Sequence, residues 1–247
     1  PAHLRRLDSA APAVHLEIMS PIMRRNASSY VIEYMFRSFA AVGGLFPVMW
    51  PSKYGVRVKS HVRYKEGDHH GHTLDILYPA EAGGALRPVV LFVHGGGFMM
   101  LSKNTHRALA LQFAKAGCVV FNINYRLAPA HPFPAPLADV ADAWLYMLEH
   151  AEAYGGDPNL AIVTGESAGG NLVTALALAS VWRRPEEYAA KVFERGVVPI
   201  AAMPFCPMLS ASRPQRFIER KPHLPRWLQK RIESVCRLYL QDIDHGD

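Results

Sequence analysis

The sequence predicts an α/β protein: a mostly parallel central sheet flanked by helices, with a helical cap. Three observations carry this. Residues 89–93, 118–124 and 160–163 form short apolar or β-branched runs, the pattern of strands covered on both faces as in a parallel sheet. Between them, residues 105–116 and 137–154 repeat apolar side chains at helical spacing. Finally, Gly165-Glu166-Ser167-Ala168-Gly169 joins the last run to a helix-like stretch at 171–182.

Taken in order, residues 12–42 show helix-like spacing that includes Ile18, Ile22, Met35 and Phe39. No basic-then-apolar leader with a cleavage site is visible, so a secretion signal is not expected. The apolar stretch at 39–50 is broken by Gly43, Gly44 and Pro47 and is too short to span a bilayer. Residues 56–64 and 73–78 read as early strands joined by a polar turn. His69, His70 and His72 lie in or beside that turn, without the helix-borne spacing of a metal site, so no metal is expected. The helix at 105–116 stops at Gly117. The helix at 137–154 gathers Val140, Trp144, Met147 and Leu148 on one face. Residues 197–203 read as a sixth strand, and 204–245 as an insertion after it. The expected organisation is a helical segment at 1–50, a core at 51–203, and an insertion with the chain's end at 204–247.

The 247 residues are enough for one full core, and half of them are hydrophobic. Net charge is +6, with basic residues gathered from Arg183 to Arg237. No recognition-helix, RNA-binding or zinc-finger signature accompanies them, so a solvated face is expected rather than nucleic acid. The three cysteines are Cys118, expected in a strand, Cys206, expected to be small and buried, and Cys236, expected in a helix. An odd count without paired spacing fits a reducing cytoplasm.

Strand, tight turn and helix with serine at the apex is the arrangement of a nucleophile elbow. Side chains two residues either side of Ser167 would collide in such a turn, and glycine stands at both positions, Gly165 and Gly169. The helix that follows aims its first N–H groups at any oxyanion above the serine. Upstream, His94-Gly95-Gly96-Gly97-Phe98 follows the strand at 89–93. A glycine loop there lets backbone N–H groups approach a carbonyl oxygen. The candidate oxyanion donors are Gly96, Gly97 and Ala168. Gly95 and His94 shape the loop, and Glu166 flanks the nucleophile in a tuning or structural role.

These motifs, with Asn124-Tyr125-Arg126-Leu127-Ala128-Pro129, the Pro132 to Val140 stretch and Gly155-Gly156-Asp157-Pro158, resemble the hormone-sensitive-lipase-like branch of the α/β-hydrolases. The resemblance spans about residues 56–205. Glu166 stands where that family often has Asp, and Ala130 where it usually has an acid. Arg126 is expected to pair with Asp139 and tie a loop to a helix, and Tyr125 to be structural.

The resemblance implies a serine carboxylesterase acting on short- to medium-chain esters, without cofactor. Its partners would be a small-molecule ester and at most a second copy of the chain. The leading helical segment would help form a lid over the acyl pocket, with a peripheral membrane contact as the alternative. By family order, the triad acid should fall roughly 90 residues beyond Ser167 and the histidine further on, both past Asp247. The chain is therefore expected to be incomplete, lacking the last two strands. His245, Asp242 and Asp244 read as a solvated tail rather than substitutes. Two other readings stay open: a ligand-binding pseudoenzyme, and an amidase or deacetylase using the same serine.

Overall fold

The computed structural model describes residues 27–81 and 84–241. Six strands form one sheet: β1 (Val56–Arg63), β2 (Thr73–Pro79), β3 (Arg87–Val93), β4 (Val119–Ile123), β5 (Gly156–Glu166) and β6 (Ala201–Phe205). Their order is β1-β2-β4-β3-β5-β6. β1 and β2 pair antiparallel, as do β2 and β4, whereas β4, β3, β5 and β6 run parallel. Helices supply the crossovers that parallel neighbours need. In chain order they are α1 (Ala27–Gly43), α2 (Arg107–Lys115), α3 (Ala135–His150), α4 (Ala168–Val181), α5 (Glu187–Glu194), α6 (Gln215–Arg220) and α7 (Arg226–Leu240).

The alternation of strand side chains divides the core in two. Val89, Leu91 and Val93 of β3, with Phe121 of β4, pack with Val140, Trp144 and Met147 of α3 and with Leu172 and Leu176 of α4. Their neighbours Val90, Phe92 and Val120 point to the other face, against Ala110, Leu111 and Ala114 of α2. α7 joins the larger cluster through Ile232, Val235, Cys236, Leu238 and Tyr239, so the segment after β6 is packed onto the core.

Several expectations change. β6 covers 201–205 rather than 197–203; Pro199 has no N–H to give to a ladder, and pairing begins only with Ala201 opposite Ile162. β5 starts at Gly156, because Gly156 and Asp157 pair with Arg87 and Pro88 ahead of a register shift. α5, over residues to which no element was assigned from the sequence, carries two buried side chains, Ala189 and Val192, at i, i+3 on one face. Cys118 lies just before β4 and is half-buried, not in the strand. Cys206 is exposed, at φ 46 where the chain leaves β6, rather than buried. Ile18, Ile22 and residues 242–247, with His245, Asp242 and Asp244, lie outside the described residues.

Candidate active site

The register of β3 against β5 sets Val93 opposite Gly165. Each strand ends at that level, so the glycine loop after β3 and the serine turn after β5 leave the sheet side by side. Their contact is close. A β-carbon on Gly169 would overlap the carbonyl oxygen of Val93, and one on Gly165 would come within 2.6 Å of the carbonyl oxygen of Gly169. Only glycine lets α4 start this near to β3.

Ser167 sits at φ 53 and ψ −111, a conformation that L side chains rarely adopt. Its N–H donates to the Phe205 carbonyl at the end of β6 (2.8 Å), and its own carbonyl accepts from Asn171 N–H (3.1 Å) in α4. Asn171 also donates through Nδ2 to Met208 O (2.7 Å), pinning the segment after β6 to the same helix. The Ser167 side chain is partly exposed and makes no hydrogen bond among the described residues.

In the facing loop Gly96 has φ 116 and Gly97 φ 60, and Phe98 and Leu101 also lie at positive φ. Gly96 O accepts from Met99 and Met100 N–H (3.2 and 3.1 Å), which curls the loop back on itself. A side chain at Gly96 would overlap the Met100 carbonyl. The N–H groups of Gly96, Gly97 and Ala168 meet no acceptor among the described residues. α7 covers this loop: Val235 lies 3.3 Å from where a Gly97 β-carbon would be, and Tyr239 stacks on Phe98 at 3.7 Å.

A layer of aromatic and charged groups holds the loop from beneath. His94 is buried; its Nδ1 bonds the Gly95 carbonyl (2.7 Å), and its ring stacks on Tyr125 at 4.3 Å. Tyr125 Oη donates to His94 O (3.0 Å). Burial above all, with the nearby His106, pushes the His94 pKa down to about 3, so the ring is neutral at ordinary pH. Arg126 grips buried Asp139 through Nε and Nη2, both at 2.8 Å. Glu166 Oε2 lies 3.3 Å from His106 Nε2, and that same nitrogen lies 3.3 Å from Gly95 N–H. His106, which joins the two loops, has no sequence signal: its partners are 11 and 60 residues away.

Of the sequence candidates, the structure thus brings together His94, Gly95, Gly96, Gly97, Gly165, Glu166, Ser167, Ala168 and Gly169. His69, His70 and His72 belong to a separate ring cluster with His131, their centroids 4.7 to 5.4 Å from that of His69. Among the described residues no group of histidine, cysteine or carboxylate side chains is arranged to hold a metal. A cleft of about 350 Å³ lies between that cluster, His94 and α1, and a cavity of about 600 Å³ lies between α7 and residues 211–215. Neither is lined by Ser167.

Comparison with known proteins adds independent findings. The sequence pattern of the family described as alpha/beta hydrolase fold matches residues 90–247. The chain is 44% identical over 115 residues to ethyl acetate hydrolase of Pseudomonas putida, covering 43% of this chain and 35% of that protein. It is 34% identical over 112 residues to human arylacetamide deacetylase-like 3, covering 45% of this chain and 27% of that protein. The chain therefore spans about a third of the length of these curated relatives. Among solved structures, a bacterial heroin esterase superposes with a TM-score of 0.66 at 25% identity, over 89% of this chain and 65% of that one.

Proposed function

From the premise that this chain belongs to the α/β-hydrolase fold family, we propose that it carries the nucleophile and oxyanion hole of a serine carboxylesterase. The observation that carries the reading is Ser167 at φ 53, beside a glycine loop whose Gly96 and Gly97 N–H groups meet no acceptor among the described residues. Ser167 Oγ attacks the ester carbonyl while its proton passes to a histidine. No described side chain bonds Ser167 Oγ, and by family order we place that histidine with its carboxylate past Asp247. The carbonyl π-electrons move to oxygen, which the N–H groups of Gly96, Gly97 and Ala168 receive. Collapse expels the alcohol, protonated by the same histidine, and leaves an acyl-serine that water then hydrolyses. His94, held neutral by burial, supports the loop and takes no proton in this scheme. The names of the Pseudomonas putida relative and of the heroin esterase support an ester substrate. Short to medium acyl chains are the expected class.

A second reading has one observation behind it, the deacetylase name of the human relative. The same serine and donors would attack an amide carbonyl.

The test uses the full-length protein with p-nitrophenyl acetate and butyrate. Hydrolysis is expected, and Ser167→Ala should reduce kcat by about 10⁶ with unfolding unchanged. An unaltered rate in that variant removes Ser167 from the mechanism. Turnover of p-nitroacetanilide faster than of the acetate ester would favour the amide reading.

A further inference from the structure

His106 belongs to neither motif, yet it touches both loops of the site. It caps the start of α2 and is buried. Its hydrogen bonds fix the tautomer. The Thr105 hydroxyl gives its proton to Ser102 O (2.7 Å) while accepting from Ser102 N–H (3.1 Å). The 3.0 Å bond between Thr105 Oγ1 and His106 Nδ1 is therefore donated by the ring. That leaves the lone pair on Nε2, and Gly95 N–H donates to it at 3.3 Å. Gly95 is buried, so its N–H depends on an acceptor supplied by the fold.

Glycine gives this bond its importance. Without a β-carbon, the peptide planes before and after Gly95 turn freely unless outside groups hold them. A stiffer residue does not fit, because its β-carbon would come within 2.9 Å of the Glu166 carbonyl oxygen. Side chains supply the restraint instead. In the plane before Gly95, Tyr125 Oη holds the His94 carbonyl (3.0 Å) and His106 Nε2 holds the Gly95 N–H (3.3 Å). In the plane after it, His94 Nδ1 donates to the Gly95 carbonyl (2.7 Å). That peptide is trans, so its N–H, which belongs to Gly96, points away from the carbonyl. The direction of a candidate oxyanion donor is thus set by how Gly95 is held.

Glu166 makes the state of the ring matter. Its Oε2 also lies 3.3 Å from His106 Nε2. One nitrogen serves one neighbour at a time. A lone pair takes the Gly95 N–H, whereas an Nε2–H turns to the carboxylate and releases the glycine. Glu166 and His94, the latter with its ring centroid 5.8 Å away, are the titratable groups facing the ring among the described residues.

We propose that His106, as the Nδ1–H tautomer with Nε2 bare, is a positioning residue of the reaction: it holds Gly95 so that the Gly96 N–H faces the oxyanion formed at Ser167. The role rests on the serine-esterase reading and adds a residue that lies outside both motifs. The experiment measures kcat and KM of the full-length protein for p-nitrophenyl butyrate in His106→Leu and His106→Gln. Leucine occupies the space but accepts no hydrogen bond, whereas glutamine brings an acceptor, Oε1, to about the reach of Nε2. His106→Leu should lose about 10²-fold in kcat with KM within about threefold of the parent, as for a donor misplaced in the transition state. His106→Gln should recover about tenfold or more of that loss. A side chain that only fills space would leave the two variants with equal kcat. The parent supplies a check that needs neither turnover nor a variant that folds. Its His106 ring should show Nδ1 protonated and Nε2 bare in long-range nitrogen–proton NMR spectra at mildly alkaline pH. The Nε2–H tautomer overturns the proposal, as does kcat retained in His106→Leu or lost equally in both variants. Ser167→Ala separates this failure from that of the underlying reading. Activity that survives Ser167→Ala ends both, whereas activity abolished by Ser167→Ala but unmoved by His106→Leu ends this proposal alone.

Discussion

Ser167 and His94 show how single residues are held for a task. A non-glycine backbone in a sparsely populated region costs about 1–3 kcal/mol. At Ser167 that strain is opposed by the Phe205 carbonyl and the first turn of α4. His94 stores a pH dependence instead. Its ring stays neutral in the fold down to about pH 3, against an ordinary value of 6.5. The unfolded chain thus binds one more proton between those limits. The stability from burying the neutral ring is complete above about pH 6.5 and is lost as pH falls toward 3, by up to about 1.4 kcal/mol per pH unit. His94→Asn should therefore flatten the acid limb of a urea-midpoint series relative to the parent. Parallel acid limbs in the two proteins would contradict a buried neutral His94.

At the scale of elements, a buried ion pair ties the segment after the glycine loop to the sheet. Lys103 Nζ lies 2.7 Å from Asp75 Oδ1 on β2, and both side chains are almost wholly buried. Lys103 N–H donates to Asn124 Oδ1 (2.8 Å), and Asn122 Nδ2 to Lys103 O (2.9 Å), fixing the backbone to both ends of β4's C-terminal region. Lys103→Met leaves the Asp75 carboxylate uncompensated and should cost about 3–5 kcal/mol in urea unfolding. Adding Asp75→Leu should recover much of that loss; a double variant as unstable as the single one would show the pair is not the source. The strands read at 73–78, 89–93 and 118–124 were legible because inner strands leave largely apolar runs. The ion pair was not, because a lysine in Ser102-Lys103-Asn104 looks like any solvated turn. Nor was α5, a helix of only eight residues that buries just Ala189 and Val192, or the outward placement of Cys206, which depends on how the chain turns after β6.

Over the whole molecule, the sequence carries the chemistry of the site more openly than its surroundings. Ser167, Gly165, Gly169 and the loop from His94 to Gly97 are local consequences of tight backbone geometry, and so can be read from spacing. His106 and Tyr125 act through contacts 31 or more residues away, or between loops, and only the folded sheet reveals them. α1 is an intermediate case: helical spacing shows the helix, while the exposure of Tyr34, Met35 and Phe39 is a property of the assembled structure. The register that sets Val93 beside Gly165 converts two separate motifs into one site. The most direct test is a crystal structure of the full-length protein inhibited by a p-nitrophenyl alkylphosphonate. Phosphorus should be bonded to Ser167 Oγ, with the phosphoryl oxygen roughly 2.7–3.1 Å from the N–H groups of Gly96, Gly97 and Ala168. Phosphorus on another side chain, or a phosphoryl oxygen turned away from all three donors, would contradict the account.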